Sequence, residues 1–211
     1  MSNPSQSRPL LFATETEATL QLSKALDAEF SALPEIHSPE TFESWRATAS
    51  AGEPRDQVIV SVWLDDPARD ELMEVDSKSW RERFELPYLL WNFALGAASR
   101  RVADGGAVVG VVQAPAALDA PGRTPELAVS DGVFSLIRSV AAAEGPRRVR
   151  ANLVTTPIGL VGSDVIAPPP PLPGFPGTID VHVAGGVRTF LSADAIGLTG
   201  RVLSADGGRS L

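Results

Sequence analysis

The chain has 211 residues, 44% of them hydrophobic, which is enough for one sizeable core in a single domain spanning residues 1–211. The formal net charge of −8 leaves no basic face of the kind that displaces counterions from nucleic acid. No apolar run reaches the ~20 residues that cross a bilayer. The N-terminus lacks the basic and apolar regions of a signal peptide, and cysteine is absent. The expectation is a cytoplasmic protein that binds neither nucleic acid nor membrane.

Pro9–Thr14 reads as a short buried strand. Thr16–Leu33 follows with Leu20, Leu22, Leu26 and Phe30 near helical spacing. Ser38 before Pro39 opens a short helix to about Ala49. Gln57–Leu64 is a β-branched run expected of a strand buried on both faces, and Asp65-Asp66-Pro67 ends it as a solvated turn. Asp76–Val102 reads as one long helix with Pro87 inside it, where proline removes a ladder bond and is expected to kink the helix. Asp104-Gly105-Gly106 reads as a turn before a buried strand, Ala107–Val112. Glu126–Ala143 is helical and ends at Gly145-Pro146. A strand at Val149–Val154, a Pro-rich run at Ala167–Gly177, a helix at Thr178–Leu191 and a last strand at Arg201–Ser204 complete the chain. Strands alternating with helices predict an α/β fold, a parallel sheet wrapped on both faces. His37 and His182 are far apart and lack acidic neighbours at ligand spacing, so no metal site is expected.

From Leu72 onward the order of landmarks resembles the short-chain dehydrogenase/reductase (SDR) family. Trp80 and Phe84 resemble the start of its long fourth helix, and Gly106–Val112 the strand leading to the catalytic Ser. Leu136–Glu144 resembles the end of the helix that carries Tyr and Lys. Arg150, Asn152 and Val154 resemble its R-x-N-x-V signature, and Thr199-Gly200 with Asp206-Gly207-Gly208 its terminal TG…DGG. The resemblance implies a Rossmann-like, doubly wound parallel sheet, shortened by about one βα unit near the N-terminus. An edge strand and its acidic ribose contact are expected to be missing, with Glu35 or His37 standing near that place.

Four active positions follow from the resemblance. Glu126 stands where the family has Tyr and Ser130 where it has Lys. Gln113 falls at the Ser position, and Pro87 at the helix-four Asn. The only tyrosine is Tyr88, and both lysines, Lys24 and Lys78, precede Trp80. Without a phenol whose pKa a lysine lowers, the family's proton transfer has no carrier. Glu126 reads as a solvated carboxylate at a helix start. The turn Thr14–Thr19 has no glycine to let backbone approach a pyrophosphate, and Glu15 and Glu17 repel one. Trp63 is bulky where the family is small. These readings predict that the chain itself binds no cofactor, NAD(P) being held only by an active partner. The function expected is a non-catalytic SDR-like subunit that assembles with an active SDR paralogue (possibly of hydroxyacyl-CoA type) or with itself. The helices near Trp80–Val102 and Glu126–Ala143 would form the contact. The alternatives are a divergent NAD(P)-dependent reductase or a small-molecule binder on the same fold.

Overall fold

In the computed structural model, residues 8–64, 69–116, 119–160 and 172–210 are described. Asp65-Asp66 and the first part of the Pro-rich run, residues 167–171 with Pro168–Pro171, lie outside them. The chain folds in the order β1 (Leu10–Ala13), α1 (Glu17–Ala25), β2 (Glu29–Ala32), α2 (Phe42–Ser50), β3 (Arg55–Ser61), α3 (Ser77–Trp80), α4 (Leu86–Arg101), β4 (Val102–Gln113), α5 (Thr124–Glu144), β5 (Arg150–Thr156), α6 (Ala184–Leu191), β6 (Val202–Ser204). The strands form one six-stranded sheet in the order β2-β1-β3-β4-β5-β6, and every pairing is parallel. This is the expected doubly wound α/β fold.

Period-two alternation builds two cores, one on each face. Leu10, Phe12, Val58, Val60, Val108, Val112 and Leu153 pack against Phe42, Leu90, Trp91, Val133 and Ile137 of α2, α4 and α5. Their neighbours Leu11, Ala13, Ile59, Val109, Val111 and Val154 face Leu22, Val187 and Phe190 of α1 and α6.

Three expected elements differ. The helix read over Thr16–Leu33 stops at Ala25, because Asp27 adopts a left-handed φ of 48°, and Glu29–Ala32 then pair with β1. β2 forms the edge of the sheet, where the usual doubly wound order carries one more strand beyond it, so the expected loss of an edge strand and about one βα unit falls between β2 and β3. The turn read at Asp104–Gly106 is an irregularity inside β4: Arg55 pairs with Val102 but Gln57 with Ala107, so the intervening residues are expelled from the ladder. The helix read over Asp76–Val102 is interrupted by a π-helical turn, Arg81–Glu85, in which the Leu86 N–H donates to the Arg81 carbonyl. Pro87 follows closely on this π turn, so the break in the ladder expected at the proline coincides with the widened turn before it.

The residues of the R-x-N-x-V signature are structural ties. Arg150 donates to the carbonyls of Phe190 (2.7 Å) and Ala195 (3.2 Å). Burial lowers its pKa from the ordinary value. Asn152 donates to Leu198 O at 2.8 Å and accepts from Arg201 N–H at 3.0 Å. Thr199 Oγ1 accepts from Ala151 N–H, and Gly200, at φ 66°, turns the chain into β6. Gly186 lies so close to β5 and β6 that a Cβ would stand 3.1 Å from Leu203 Cδ2, the close packing expected at Gly185-Gly186, whereas a Cβ on Gly185 would meet nothing within 4 Å.

Along α5, Val129, Val133, Ile137 and Ala141 face the core, whereas Asp131, Ser135, Arg138, Ser139 and Ala142 are exposed. No helix among the described residues is long and apolar enough to cross a membrane.

Candidate functional site

Doubly wound sheets bind ligands beyond the carboxyl ends of the strands, where successive connections leave in opposite directions. Here that switch lies between β1 and β3, since β1 runs on to β2 on one side and β3 to β4 on the other. A cleft of about 730 Å³ opens there. Thr14 and Glu15 after β1, Leu33–His37 after β2, Trp63 and Leu64 after β3, and Glu82 and Arg83 of the π turn line it.

The floor is held by side chains where a glycine turn would use backbone. Thr14 Oγ1 donates to Trp63 O (3.0 Å) and accepts from Trp63 N–H (2.8 Å), locking the ends of β1 and β3 together. Thr16 caps α1, accepting from Thr19 N–H, and Thr19 Oγ1 accepts from Thr16 N–H. Of the two acids expected to repel phosphate, Glu15 lines the cleft and Glu17 accepts from Gln21. Trp63 packs into the core at 4% exposure and forms a wall; it does not protrude as a block. Glu35 and His37 both line the cleft, so an acidic side chain remains beside β2 where one was expected to be lost with the strand. Among the described residues no three His, Cys, Asp or Glu side chains converge as a metal site.

The positions assigned by resemblance do meet in space. Pro87, Gln113 and Glu126 share a void of only about 10 Å³ with Val62, Leu64, Val112 and Val129. Gln113 accepts from Leu64 N–H (2.8 Å) and donates to Ile158 O (3.4 Å), bridging the loops after β3 and β5. Ser130, one turn along α5 from Glu126, donates to Leu127 O. Glu126 is not a solvated carboxylate. It is 3% exposed, and both its oxygens accept from one guanidinium, Arg83 Nε at 2.7 Å and Nη2 at 2.9 Å. Arg83 Nη1 also donates to Asp70. Burial works against the Arg83 charge, but the hydrogen bonds and charges of Glu126 and Asp70 outweigh it and raise the guanidinium pKa. The helix-start signal in the sequence was sound; its partner, forty-three residues upstream, sits on a π turn that periodicity does not reveal.

No family model matches the sequence, and no curated protein matches it. Solved structures do match the fold. A blue fluorescent protein from a metagenomic library, in complex with NADPH, superposes with a TM-score of 0.71 at 19% identity, over 95% of this chain and 87% of that one. A short-chain dehydrogenase/reductase from Serratia marcescens gives 0.71 at 17%, over 99% and 100%. An enoyl-(acyl-carrier-protein) reductase from Anaplasma phagocytophilum, in complex with NAD, gives 0.72 at 14%, over 97% and 94%. Two of these three were solved with a nicotinamide nucleotide in place. That finding overturns the expectation of a scaffold without a cofactor: the missing glycines are no ground for denying this fold a nucleotide. The chain has the SDR fold.

Proposed function

We propose that the chain binds a nicotinamide adenine dinucleotide in the cleft at the ends of β1, β2 and β3 and holds it without reducing a carbonyl. The observation that carries the reading is the position of the cleft, at the switch point of a sheet whose solved neighbours include complexes with NADPH and NAD. Trp63 offers an apolar wall, and Glu35 and His37 offer hydrogen-bonding groups beside β2. The absence of turnover is supported by the void at Pro87, Gln113 and Glu126. At about 10 Å³ it is at the lower limit for a single water molecule, and it has no room for a substrate carbonyl.

Charge sets the preference. Glu15, Glu35 and Glu82 face the cleft, and the guanidinium of Arg83 already serves two carboxylates. A further phosphate on the adenosine ribose adds about two negative charges there. Calorimetric titration should therefore give saturable binding of NAD⁺ or NADH, weaker binding of NADP⁺, and no NADH oxidation on adding ketones or aldehydes. Glu35→Arg should move the NADP⁺ to NAD⁺ ratio by about tenfold, or 1.4 kcal/mol. Absence of saturable binding at millimolar nucleotide would sink the proposal, and steady NADH oxidation would replace it with a divergent reductase.

A further inference from the structure

A second cavity, of about 420 Å³, lies at the C-terminal end of β6 and shares no lining residue with the nucleotide cleft. Its walls are mostly apolar: Leu172, Pro173, Phe175, Pro176 and Leu203, with His182 beside them. We propose that this cavity is a binding site for a compact, neutral, largely apolar molecule carrying one acceptor oxygen, such as a ketone, ester or amide.

The walls are fixed before any ligand arrives. The Arg209 guanidinium stands 5.2 Å from the centre of the Phe175 ring and pairs with Asp119 through two hydrogen bonds of 3.0 and 2.9 Å, both side chains being buried. Leu172 N–H donates to Gly207 O at 3.1 Å, tying the loop before α6 to the tail after β6. Asp206 accepts from the Gly208 and Ser210 amides. A ligand entering such a site meets little ordering cost.

The chemistry of the ligand follows from His182. Its Nδ1 accepts a 2.9 Å hydrogen bond from Thr178 N–H, which in the neutral ring places the proton on Nε2. The imidazole therefore offers one donor. Gly177, at φ 91°, makes room for the ring: a Cβ there would stand 2.9 Å from His182 Cγ. Asp206 is one of the residues lining the cavity, and Asp180 lies two residues before His182. Both disfavour an anionic ligand, so the acceptor is a neutral carbonyl.

The test uses prodan, a neutral naphthyl ketone whose emission shifts to the blue in apolar surroundings, with the full-length protein. The expected result is a saturable blue shift, unchanged by excess NAD⁺, that weakens by about fivefold in His182→Phe, the scale of one lost hydrogen bond. His182→Gln, which restores a donor, should recover most of the affinity. His182 is exposed, so both variants should fold, and circular dichroism checks this. Leu203→Glu, which puts charge into the wall, should abolish the shift. No saturable shift with the wild type, competition by NAD⁺, or equal affinity in His182→Phe would each overturn the proposal.

Discussion

Replacing Arg83 with methionine isolates the most heavily buried charge cluster among the described residues that line the cleft. The arginine side chain is 11% exposed, Glu126 is 3% and Asp70 is 32%. Removing the cation leaves the Glu126 carboxylate buried without either guanidinium donor, and breaking a buried pair in this way costs about 3–5 kcal/mol. At about 2–4 °C per kcal/mol for a chain of this length, the melting point should fall by roughly 10 °C. The double variant Arg83→Met, Glu126→Leu removes both charges and fills the space with apolar atoms, so it should recover most of the loss. Urea unfolding of the wild type, both single variants and the double variant closes the cycle. A single-variant cost under about 1 kcal/mol, the range of exposed pairs, would refute the view that the pair is desolvated.

The Glu144 carboxyl is held below its ordinary pKa by the Ser99 hydroxyl, against burial, with help from Arg147. A depressed folded pKa adds stability above the unfolded value, lost as pH falls through the folded one, so the advantage of the wild type over Glu144→Gln in thermal melts should shrink from pH 7 to acid. A constant gap would refute it. The Trp91 indole N–H is buried with no acceptor among the described residues. Trp91→Phe should therefore cost less than about 1 kcal/mol, because loss of an unsatisfied donor offsets loss of volume, and a cost near the 3–5 kcal/mol of Trp→Ala would show that the N–H is satisfied. If the outer face of α5 is the contact with a second copy or a paralogue, Ala142→Glu should lower the mass measured by light scattering and leave the melting point in place. Ala141→Asp, on the buried face, should unfold the chain. An unchanged mass for Ala142→Glu would exclude this face.

Five of the six strands were legible: β1, β3, β4 and β5 because their buried residues read as apolar runs, and β6, which is exposed or half-buried, because Thr199-Gly200 and Asp206-Gly207-Gly208 bracket it. β2 was not. Its residues Glu29–Ala32 are exposed or half-buried, and Phe30 fell on the helical spacing of α1, so only the break at Asp27 separates the two elements. Of the four positions of the candidate site, Pro87, Gln113 and Glu126 line one void and Ser130 lies a turn along α5, but the burial of Glu126 was misread. Burial depends on Arg83, and nothing local to Glu126 announces it. The π turn that presents Arg83 has no apolar period of its own. The cleft was underestimated for a related reason. Glycine-free turns were judged by how closely backbone can approach a phosphate, whereas the hydroxyls of Thr14 and Thr19 fix this turn by bonding to Trp63 O and Thr14 O.

The ties made by Arg150 and Asn152 bear on what a sequence signature reports. Both side chains spend their hydrogen bonds on carbonyls and an amide of the final crossover. Selection for folding alone is then sufficient to keep them, whatever happens at the ends of the strands. A sequence signature of this kind reports how the scaffold is tied together and carries no information about catalysis. Two chains that share it can differ completely in what they do at the ends of their strands.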